Sequence, residues 1–210
     1  MPVDSPLYPV NLIVEGRRCL VVGGGAVAAR KVAGLASAGA EVRVVAPHVG
    51  PEVRATGVAF EERPYNRGEV ADQWLVITAT DDGEVNASVR ADGDAAGVWV
   101  NSADDPALCS FTLPAIAQQG PILVAVSTGG HSPALATWLK GHVTAELGPE
   151  WATLAELLSD ARERLKTEGR STEGLDWRSV IDWDMLEGLR RGQEAQVKER
   201  LEAWLSSLLA

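Results

Sequence analysis

The stretch from Cys19 to His48, CLVVGGGAVAARKVAGLASAGAEVRVVAPH, limits the folds open to this chain more than any other part. It joins an apolar run, a glycine turn, a helical stretch of small residues and a second β-branched run. Gly23, Gly25 and Ala28 give the pattern G-x-G-x-x-A where the predicted strand meets the predicted helix. In this pattern the first glycine permits a tight turn and the second lets backbone amides approach a pyrophosphate. The stretch therefore predicts a dinucleotide-binding unit.

The candidate cofactor contacts follow from this turn and from the ends of the predicted strands. The N-terminus of a helix carries partial positive charge, which favours phosphate groups. The second strand has no acidic residue at its end to bind a ribose, because Glu41 comes too early and Glu52 too late. His48 and the backbone amides before it are the available substitutes, and the absence of an arginine at this point favours NAD over NADP. The candidate cofactor-binding residues are Gly23, Gly24, Gly25, Ala26, Val27, Ala46, Pro47, His48, Thr78 and Thr80.

Strand and helix patterns alternate regularly over the first half of the chain. Helical patterns cover 26–38 and 83–96, and each lies between short apolar runs rich in β-branched residues. Such alternation predicts a Rossmann-like parallel sheet with helices on its faces, in which ligands bind beyond the carboxyl ends of the strands. The predicted strands are 19–24, 41–47, 58–64, 74–80 and 97–102.

The pattern changes in the second half of the chain. Residues 111–130 predict strands joined by a Gly-Pro turn, and residues 132–147 predict a helix. Ser132 is the expected N-cap of that helix, with Pro133 at the first helical position. Apolar residues at three- and four-residue spacing predict helices from Trp151 onward. The predicted domains are an NAD-binding Rossmann domain over 1–112, a small α+β dimerisation segment over 113–147 and a helical C-terminal domain over 148–210.

Composition and charge narrow the classes of partner. The formal net charge of −10 argues against a general nucleic-acid binder, which needs a basic surface. We expect neither a targeting signal nor a membrane segment, and hence a cytoplasmic protein. The two cysteines, Cys19 and Cys109, lack metal-ligand spacing, so that no metal site and no disulfide are predicted.

Four separated motifs, in one order, resemble a known family. They are VVGGGAVAARKVAGL, TATDDGEVN (78–86), VNSADDPALCSFTLPA (100–115) and PILVAVSTGGHSPALA. Together they resemble the dehydrogenase module of siroheme synthases, a family of precorrin-2 dehydrogenases of which some also act as sirohydrochlorin ferrochelatases. The resemblance is close over residues 7–147 and loose over the helical tail. It implies NAD as cofactor, oxidation of the tetrapyrrole precorrin-2 to sirohydrochlorin, and a homodimer that exchanges segment 113–147. In that family the second strand characteristically ends without the ribose acid.

The resemblance also implies a catalytic residue and a substrate-binding segment. The family's catalytic aspartate lies in an Asn-x-x-Asp-x-Pro segment, whose aspartate here is Asp104. Such a carboxylate acts either as general base or as stabiliser of positive charge developing on the macrocycle, and both roles remain open. Asp105 is expected to be a solvated turn residue. The segment VSTGGHSP (126–133) supplies the candidate substrate-binding residues Thr128, His131 and Ser132, with Thr128 where members often have serine.

Several functional alternatives remain open at this point. The presence of Asp104 does not show whether the chain also inserts a metal into sirohydrochlorin, because bifunctional members of the family use this aspartate in both dehydrogenation and metal insertion. A non-catalytic NAD-sensing Rossmann module is the main alternative from another class, and a chelatase without redox function is a second. Because the substrate is a polycarboxylate and the chain is acidic, we expect local basic groups to bind it. The candidates in the tail are those of 161–170 together with Arg178, Arg190 and Arg191.

Overall fold

The structure is a computed structural model, and it describes residues 6–207. The chain divides into two compact units. The first comprises the described residues up to Leu113 together with Gly129–His131, and the second comprises Pro114–Thr128 and the described residues from Ser132 onward. The predicted division at 147/148 stays a prediction, since the second unit includes residues on both sides of it.

The first unit is built on a five-stranded parallel sheet, as the alternating pattern predicts. Its strands are β1 (Arg18–Val22), β2 (Glu41–Ala46), β3 (Ala59–Glu62), β4 (Leu75–Thr78) and β5 (Trp99–Ser102). Their order in the sheet is β3-β2-β1-β4-β5, and every neighbouring pair is parallel. The strand order reverses between β1 and β4, and in sheets of this kind ligands bind beyond the carboxyl ends at such a point. The Rossmann-like fold is therefore confirmed.

Helices cover both faces of this sheet. Helix α1 (Ala26–Ser37) packs on one face through its buried small residues, including Val32, and α3 (Gly83–Ala96) packs on the other through Val89. Strand side chains alternate between the two faces, so that Val21 and Ile77 join α1 while Leu20 and Val76 join α3. A four-residue helix, α2 (Pro51–Arg54), was not predicted, because it is too short to show a periodic pattern.

The second unit begins with an antiparallel hairpin. Strands β6 (Ala115–Gln119) and β7 (Ile122–Val126) pair around the predicted Gly-Pro turn, and helix α4 (Pro133–Glu146) contacts both. The hydroxyl of Ser132 accepts a hydrogen bond from the amide of Leu135 at 3.1 Å. The expected N-cap is therefore confirmed.

The rest of the second unit is helical, as predicted. Helices α5 (Pro149–Thr167), α6 (Trp183–Arg190) and α7 (Glu194–Ser207) pack around their own apolar core. The core positions recur at three- and four-residue spacing along each helix, which is the pattern that predicted them. Its buried members are Leu154, Leu157, Ala161, Leu165, Val180, Met185, Leu186, Val197, Leu201 and Leu205.

Candidate functional site

The three glycines of the turn after β1 differ in their surroundings. A Cβ atom on Gly23 would lie 2.2 Å from the carbonyl oxygen of Ala79, and one on Gly24 would lie 1.9 Å from that of His48. Gly23 also has a φ of +133°, which disfavours other residues. These two glycines are therefore required by the close packing of the chain itself. Around Gly25 nothing lies within 4 Å of the added atom, so that the backbone there borders space open to a ligand.

The N-terminus of α1 is open in the sense that no acidic or capping group neutralises it. Gly25 occupies the N-cap and offers no side chain, and the first turn contains no acidic residue. Helix α1 is the one α-helix within residues 6–207 that lacks both a capping side chain and an acid in its first turn. Its first amides, including those of Ala26 and Val27, have no carbonyl partner within the helix. Unpartnered amides and the helix dipole together form an anion-binding site.

The end of β2 is bordered by a carboxylate from the neighbouring strand. Ala46 is buried and His48 is exposed, while Glu62, the last residue of β3, pairs in register with Ala46. The Glu62 carboxylate accepts a hydrogen bond from the amide of Val49 at 3.1 Å and lies 3.9 Å from the His48 ring nitrogen Nδ1. Glu62 is not apparent from the sequence as a ribose acid, because it belongs to β3 and only the strand order brings it alongside the end of β2.

Glu62 is itself held by a cation. Its carboxylate forms an ion pair of 2.7 Å with Arg54 of α2, whose guanidinium also donates to the carbonyl of Val49 at 3.0 Å. The hydrogen bond from Arg54, followed by that from the Val49 amide, lowers the pKa of Glu62. The carboxylate is therefore ionised at neutral pH and fixed beside the exposed Pro47 and His48. An arginine thus does lie near the end of β2, although it is engaged by the acid.

Two threonines lie at the carboxyl end of β4: Thr78 is its last residue, and Thr80 follows it. Thr78 is 0 % exposed. The Thr80 hydroxyl lies 3.0 Å from Asn86 Oδ1 and accepts from the amide of Asp82 at 3.1 Å, which joins the end of β4 to the start of α3. The cofactor-binding assignments of both threonines stay predictions.

Asp104 lies on a closely bonded loop after β5. The amide of Ala103 donates to the carbonyl of Thr78 at 2.8 Å, which ties the start of the loop to β4. The Asp105 carboxylate accepts from the amide of Ala107 at 2.9 Å and caps a short 3-10 turn. Asp105 is exposed, as a solvated turn residue would be, but it is also a structural cap. Asp104 is exposed and makes no side-chain hydrogen bond or ion pair with any residue of the described part. Its carboxylate is thus available to a ligand.

The Cys109 thiol closes this loop. Its sulfur accepts from the amide of Ser102 at 3.2 Å and lies 3.4 Å from the carbonyl of Asp105. The amide nitrogen of the Asn101 side chain lies 3.5 Å away and donates to the carbonyl of Phe111 at 2.9 Å. Burial raises the pKa of Cys109, so that it remains a thiol at neutral pH. Cys109 therefore fixes the loop that carries the candidate catalytic acid.

Unpartnered buried polar atoms collect at the carboxyl ends of β4 and β5. Thr78 Oγ1, Asn101 Oδ1 and Ser102 Oγ are all buried without a hydrogen-bond partner in the structure. Thr78 and Ser102 are in register on neighbouring strands, and Asn101 precedes Ser102. A buried polar atom without a partner costs free energy, and such atoms are rare outside functional sites and water sites. This edge of the sheet therefore has the character of a binding site.

The predicted substrate-binding segment forms a compact turn. The Thr128 hydroxyl accepts from the amide of Ser132 at 3.1 Å, and it lies 3.1 Å from the Ser132 carbonyl. Gly129 and Gly130 have φ values of +58° and +78°, which explains the glycine pair. His131 is exposed. The substrate-binding assignments of Thr128, His131 and Ser132 stay predictions.

In residues 6–207 no group of three or more His, Cys, Asp or Glu side chains is placed to hold a metal ion. None of the helices described is both long enough and apolar enough to cross a membrane.

Comparison with known proteins places these features in context. Siroheme synthase of Nitrosococcus oceani is 37 % identical over 94 % of this chain and 43 % of its own length. Siroheme synthase of Pseudomonas aeruginosa is 38 % identical over 96 % of this chain and 45 % of its own length. The chain thus spans less than half the length of these curated relatives. A solved structure of SirC, a precorrin-2 dehydrogenase, covers 94 % of this chain and all of its own, with a TM-score of 0.75 and 25 % identity.

The family assignment comes from the first unit. Residues 10–115 match the family described as "Putative NAD(P)-binding", and this segment includes the whole five-stranded sheet. It contains the open N-terminus of α1 and the Asp104 loop. The chain therefore belongs to this NAD(P)-binding family.

Proposed function

We propose that the chain oxidises precorrin-2 to sirohydrochlorin with NAD as hydride acceptor, a reaction of siroheme biosynthesis. The observation that carries the proposal is that two features lie at the carboxyl edge of one sheet, on strands separated only by β4. The open N-terminus of α1 follows β1, and the loop bearing the available carboxylate of Asp104 follows β5, next to β4. The similarity to siroheme synthases and to a precorrin-2 dehydrogenase supports this function.

The residues present fit a dinucleotide. The amides at the start of α1 suit the pyrophosphate, and the open space beside Gly25 lets it approach. The backbone from Ala46 to His48, with the fixed carboxylate of Glu62 beside it, suits the ribose hydroxyls. When bound, NAD supplies the hydride-accepting chemistry, and the protein supplies orientation and a local field.

Asp104 has a defined task in this reaction. Oxidation of precorrin-2 removes a hydride, which leaves with the cofactor, and a proton, which must leave the macrocycle separately. A carboxylate takes that proton as a general base, or it stabilises the positive charge that develops as the hydride departs. Asp104 is suited to both tasks because its carboxylate is exposed and makes no side-chain hydrogen bond or ion pair with any described residue, while Cys109 and Asp105 fix its loop.

We also propose that the protein acts as a cytoplasmic homodimer. The second unit presents large apolar side chains to solvent on the hairpin and on α4: Ile116, Leu123, Leu135 and Trp138. Trp138 is 64 % exposed and stacks on His142 at 5.6 Å between ring centroids. Exposed apolar surface of this kind is typical of a protein interface. Sedimentation at micromolar concentration tests the proposal, and a monomer there contradicts it.

The function is tested by an anaerobic assay with purified protein. Precorrin-2 is supplied with and without NAD, and absorbance follows sirohydrochlorin and NADH together. We expect NAD-dependent conversion, slowed by about 100-fold or more in Asp104→Ala, since general acid–base groups contribute on that scale. Asp72→Ala, which removes an exposed acid from the opposite end of the sheet, should retain the rate.

The outcomes separate the alternatives. NAD binding with no conversion by the wild-type protein contradicts the proposal and favours the non-catalytic NAD-sensing module. Conversion that survives in Asp104→Ala leaves the reaction in place but removes Asp104 from it. Metal insertion without NAD binding favours a chelatase that lacks redox function.

A further inference from the structure

Lys31 is a cation whose position the proposed reaction does not yet explain. It lies on α1 and is the only lysine of the first unit, because the others are Lys140, Lys166 and Lys198. Its side chain is half-buried, yet no carboxylate of the described residues comes within the 4.0 Å of an ion pair. Burying an ammonium group costs free energy unless an anion compensates for it.

The other cations of the first unit do not share this combination. Arg17, Arg18 and Arg30 also lack an ion pair among the described residues, but all three are exposed to water. Among the described cations of the first unit, Lys31 alone is half-buried without a carboxylate partner. The remaining arginines of the unit are paired with carboxylates: Arg43, Arg54, Arg63, Arg67 and Arg90.

Lys31 lies in the second turn of α1, so that we expect its side chain to lean toward the carboxyl edge of the sheet. Side chains on an α-helix lean toward its N-terminus, and the N-terminus of α1 lies at that edge. Lys31 interacts electrostatically with Asp104 and with Cys109, both on the loop after β5. Burial, followed by repulsion from Arg30, lowers the pKa of Lys31, while Asp104 and Cys109 act in the opposite direction. The ammonium group therefore belongs to the neighbourhood of the candidate catalytic acid.

A second observation indicates that this neighbourhood is built for a ligand. Asn101 is 5 % exposed, and its side-chain oxygen Oδ1 is buried without a hydrogen-bond partner. Its side-chain nitrogen Nδ2 lies 3.5 Å from Cys109 Sγ, on the same loop as Asp104. Because the Oδ1 atom has no hydrogen-bond partner among the described residues, a ligand or its bound water would satisfy it.

The helical part of the chain offers fewer basic groups than its sequence suggests. Arg164 pairs with Glu168 and also with Glu202, and Lys166 pairs with Glu163 at 2.5 Å. The pairs formed by the next two candidates are Arg190 with Glu150, at 2.8 Å, and Arg191 with Glu187, at 2.9 Å. Most of the tail cations that were candidates for substrate carboxylates are thus engaged within the second unit.

We propose that Lys31 binds a carboxylate of the substrate beside Asp104, with the exposed cation of Arg30 adding to the local positive potential. The ligand group is an acetate or propionate side chain of the tetrapyrrole. The proposal rests on the proposed function, because it names a contact of that same site. A carboxylate held by Lys31 fixes the macrocycle relative to Asp104, which orients the carbon that loses its proton. Lys31 is thus a substrate-binding residue of an acidic protein that otherwise repels a polyanion.

The experiment compares Lys31→Met, Lys31→Arg and the control Arg18→Met, which removes an exposed, unpaired cation from the opposite end of the sheet. We expect Lys31→Met to raise the KM for precorrin-2 by about tenfold, the usual scale for a charged hydrogen bond. Its NAD affinity should stay within about twofold of wild type. Lys31→Arg should restore part of the loss, and Arg18→Met should show none. Added salt should raise the wild-type KM more than that of Lys31→Met.

Binding is measured separately, so that the proposal remains testable if turnover fails. Sirohydrochlorin is titrated into each variant without NAD, and quenching of tryptophan fluorescence gives its dissociation constant. A tenfold weaker complex in Lys31→Met but not in Arg18→Met supports the carboxylate contact, even if the wild type proves inactive. Unchanged KM and unchanged binding in a folded Lys31→Met and Lys31→Arg overturn it. A parallel loss of NAD affinity also overturns it, since that result assigns Lys31 to the cofactor phosphates.

Discussion

Two helix N-termini of the first unit lie beyond the carboxyl ends of adjacent strands and are treated in opposite ways. At α3, which follows β4, the Asp82 carboxylate accepts from the amides of Glu84 at 2.9 Å and Val85 at 3.1 Å. Glu84 adds a second negative charge to the first turn. At α1, which follows β1, Gly25 provides no side chain and the first turn has no acid. The same dipole is neutralised inside the protein at α3 and kept available at α1.

The capped N-terminus of α3 contributes to stability, whereas the uncapped N-terminus of α1 remains available to a ligand. A side-chain cap satisfies amides that would otherwise lack a partner and is worth about 1 kcal/mol of helix stability. Helix α1 forgoes that stabilisation, although its φ of −89° at Gly25 is a conformation that residues with a side chain adopt. Packing therefore does not require glycine at this position. The open space beside Gly25 is consistent with the pyrophosphate site proposed above.

The largest expected effect on stability is at Gly24, which is closely packed where its neighbour Gly25 is not. Gly24→Ala places a methyl group 1.9 Å from the His48 carbonyl oxygen, so that the ends of β1 and β2 must separate. We expect a loss of about 3 kcal/mol or more in the free energy of unfolding, which is the upper range for overpacking. Urea denaturation followed by circular dichroism measures it.

A matched control comes from the same helix. Gly34 lies inside α1 with nothing within 4 Å of an added Cβ. Gly34→Ala should raise stability by about 0.5–1 kcal/mol, because alanine is the better helix former. If Gly24→Ala unfolds at the same urea concentration as the wild type, the turn is not closely packed at Gly24. That result would contradict the claim that packing requires glycine at position 24 but not at position 25.

A smaller effect is expected at the capped helix. Asp82→Ala removes the side chain that accepts from two amides of α3, and the unfolding free energy should fall by about 1 kcal/mol. NAD affinity should not change, because this end of the helix is already neutralised within the protein. Denaturation and NAD titration on the same sample measure both quantities. If Asp82→Ala loses NAD affinity but not stability, the claim that the α3 N-terminus serves stability alone is contradicted.

Much of this architecture is predictable from local sequence. The glycine turn, the five parallel strands and the Ser132 cap each depend on residues within a few positions of one another. Local pattern fails for α2, since four residues cannot show a helical period. It also gives an incomplete account of Asp105, which is exposed as expected but whose carboxylate caps the turn over Pro106–Leu108.

The candidate site is less predictable because its members meet only in three dimensions. Glu62 comes beside His48 through the order of strands, and the sequence places it on a different strand from the one where a ribose acid is sought. Lys31 approaches Asp104 across a gap of more than seventy residues, and no motif joins the two. Sheet order and helix packing therefore carry the information that residue spacing lacks.

The central claim is that the open N-terminus of α1 holds the cofactor pyrophosphate, and calorimetric titration of NAD into wild type and Gly25→Asp tests it most directly. The substitution gives α1 the cap that Asp82 gives α3, in a position with room for the side chain. We predict that Gly25→Asp folds with unchanged or slightly higher stability, and that its NAD affinity falls by about tenfold or more through repulsion of the phosphates. Equal NAD affinity in the two proteins, with both folded, would contradict the account.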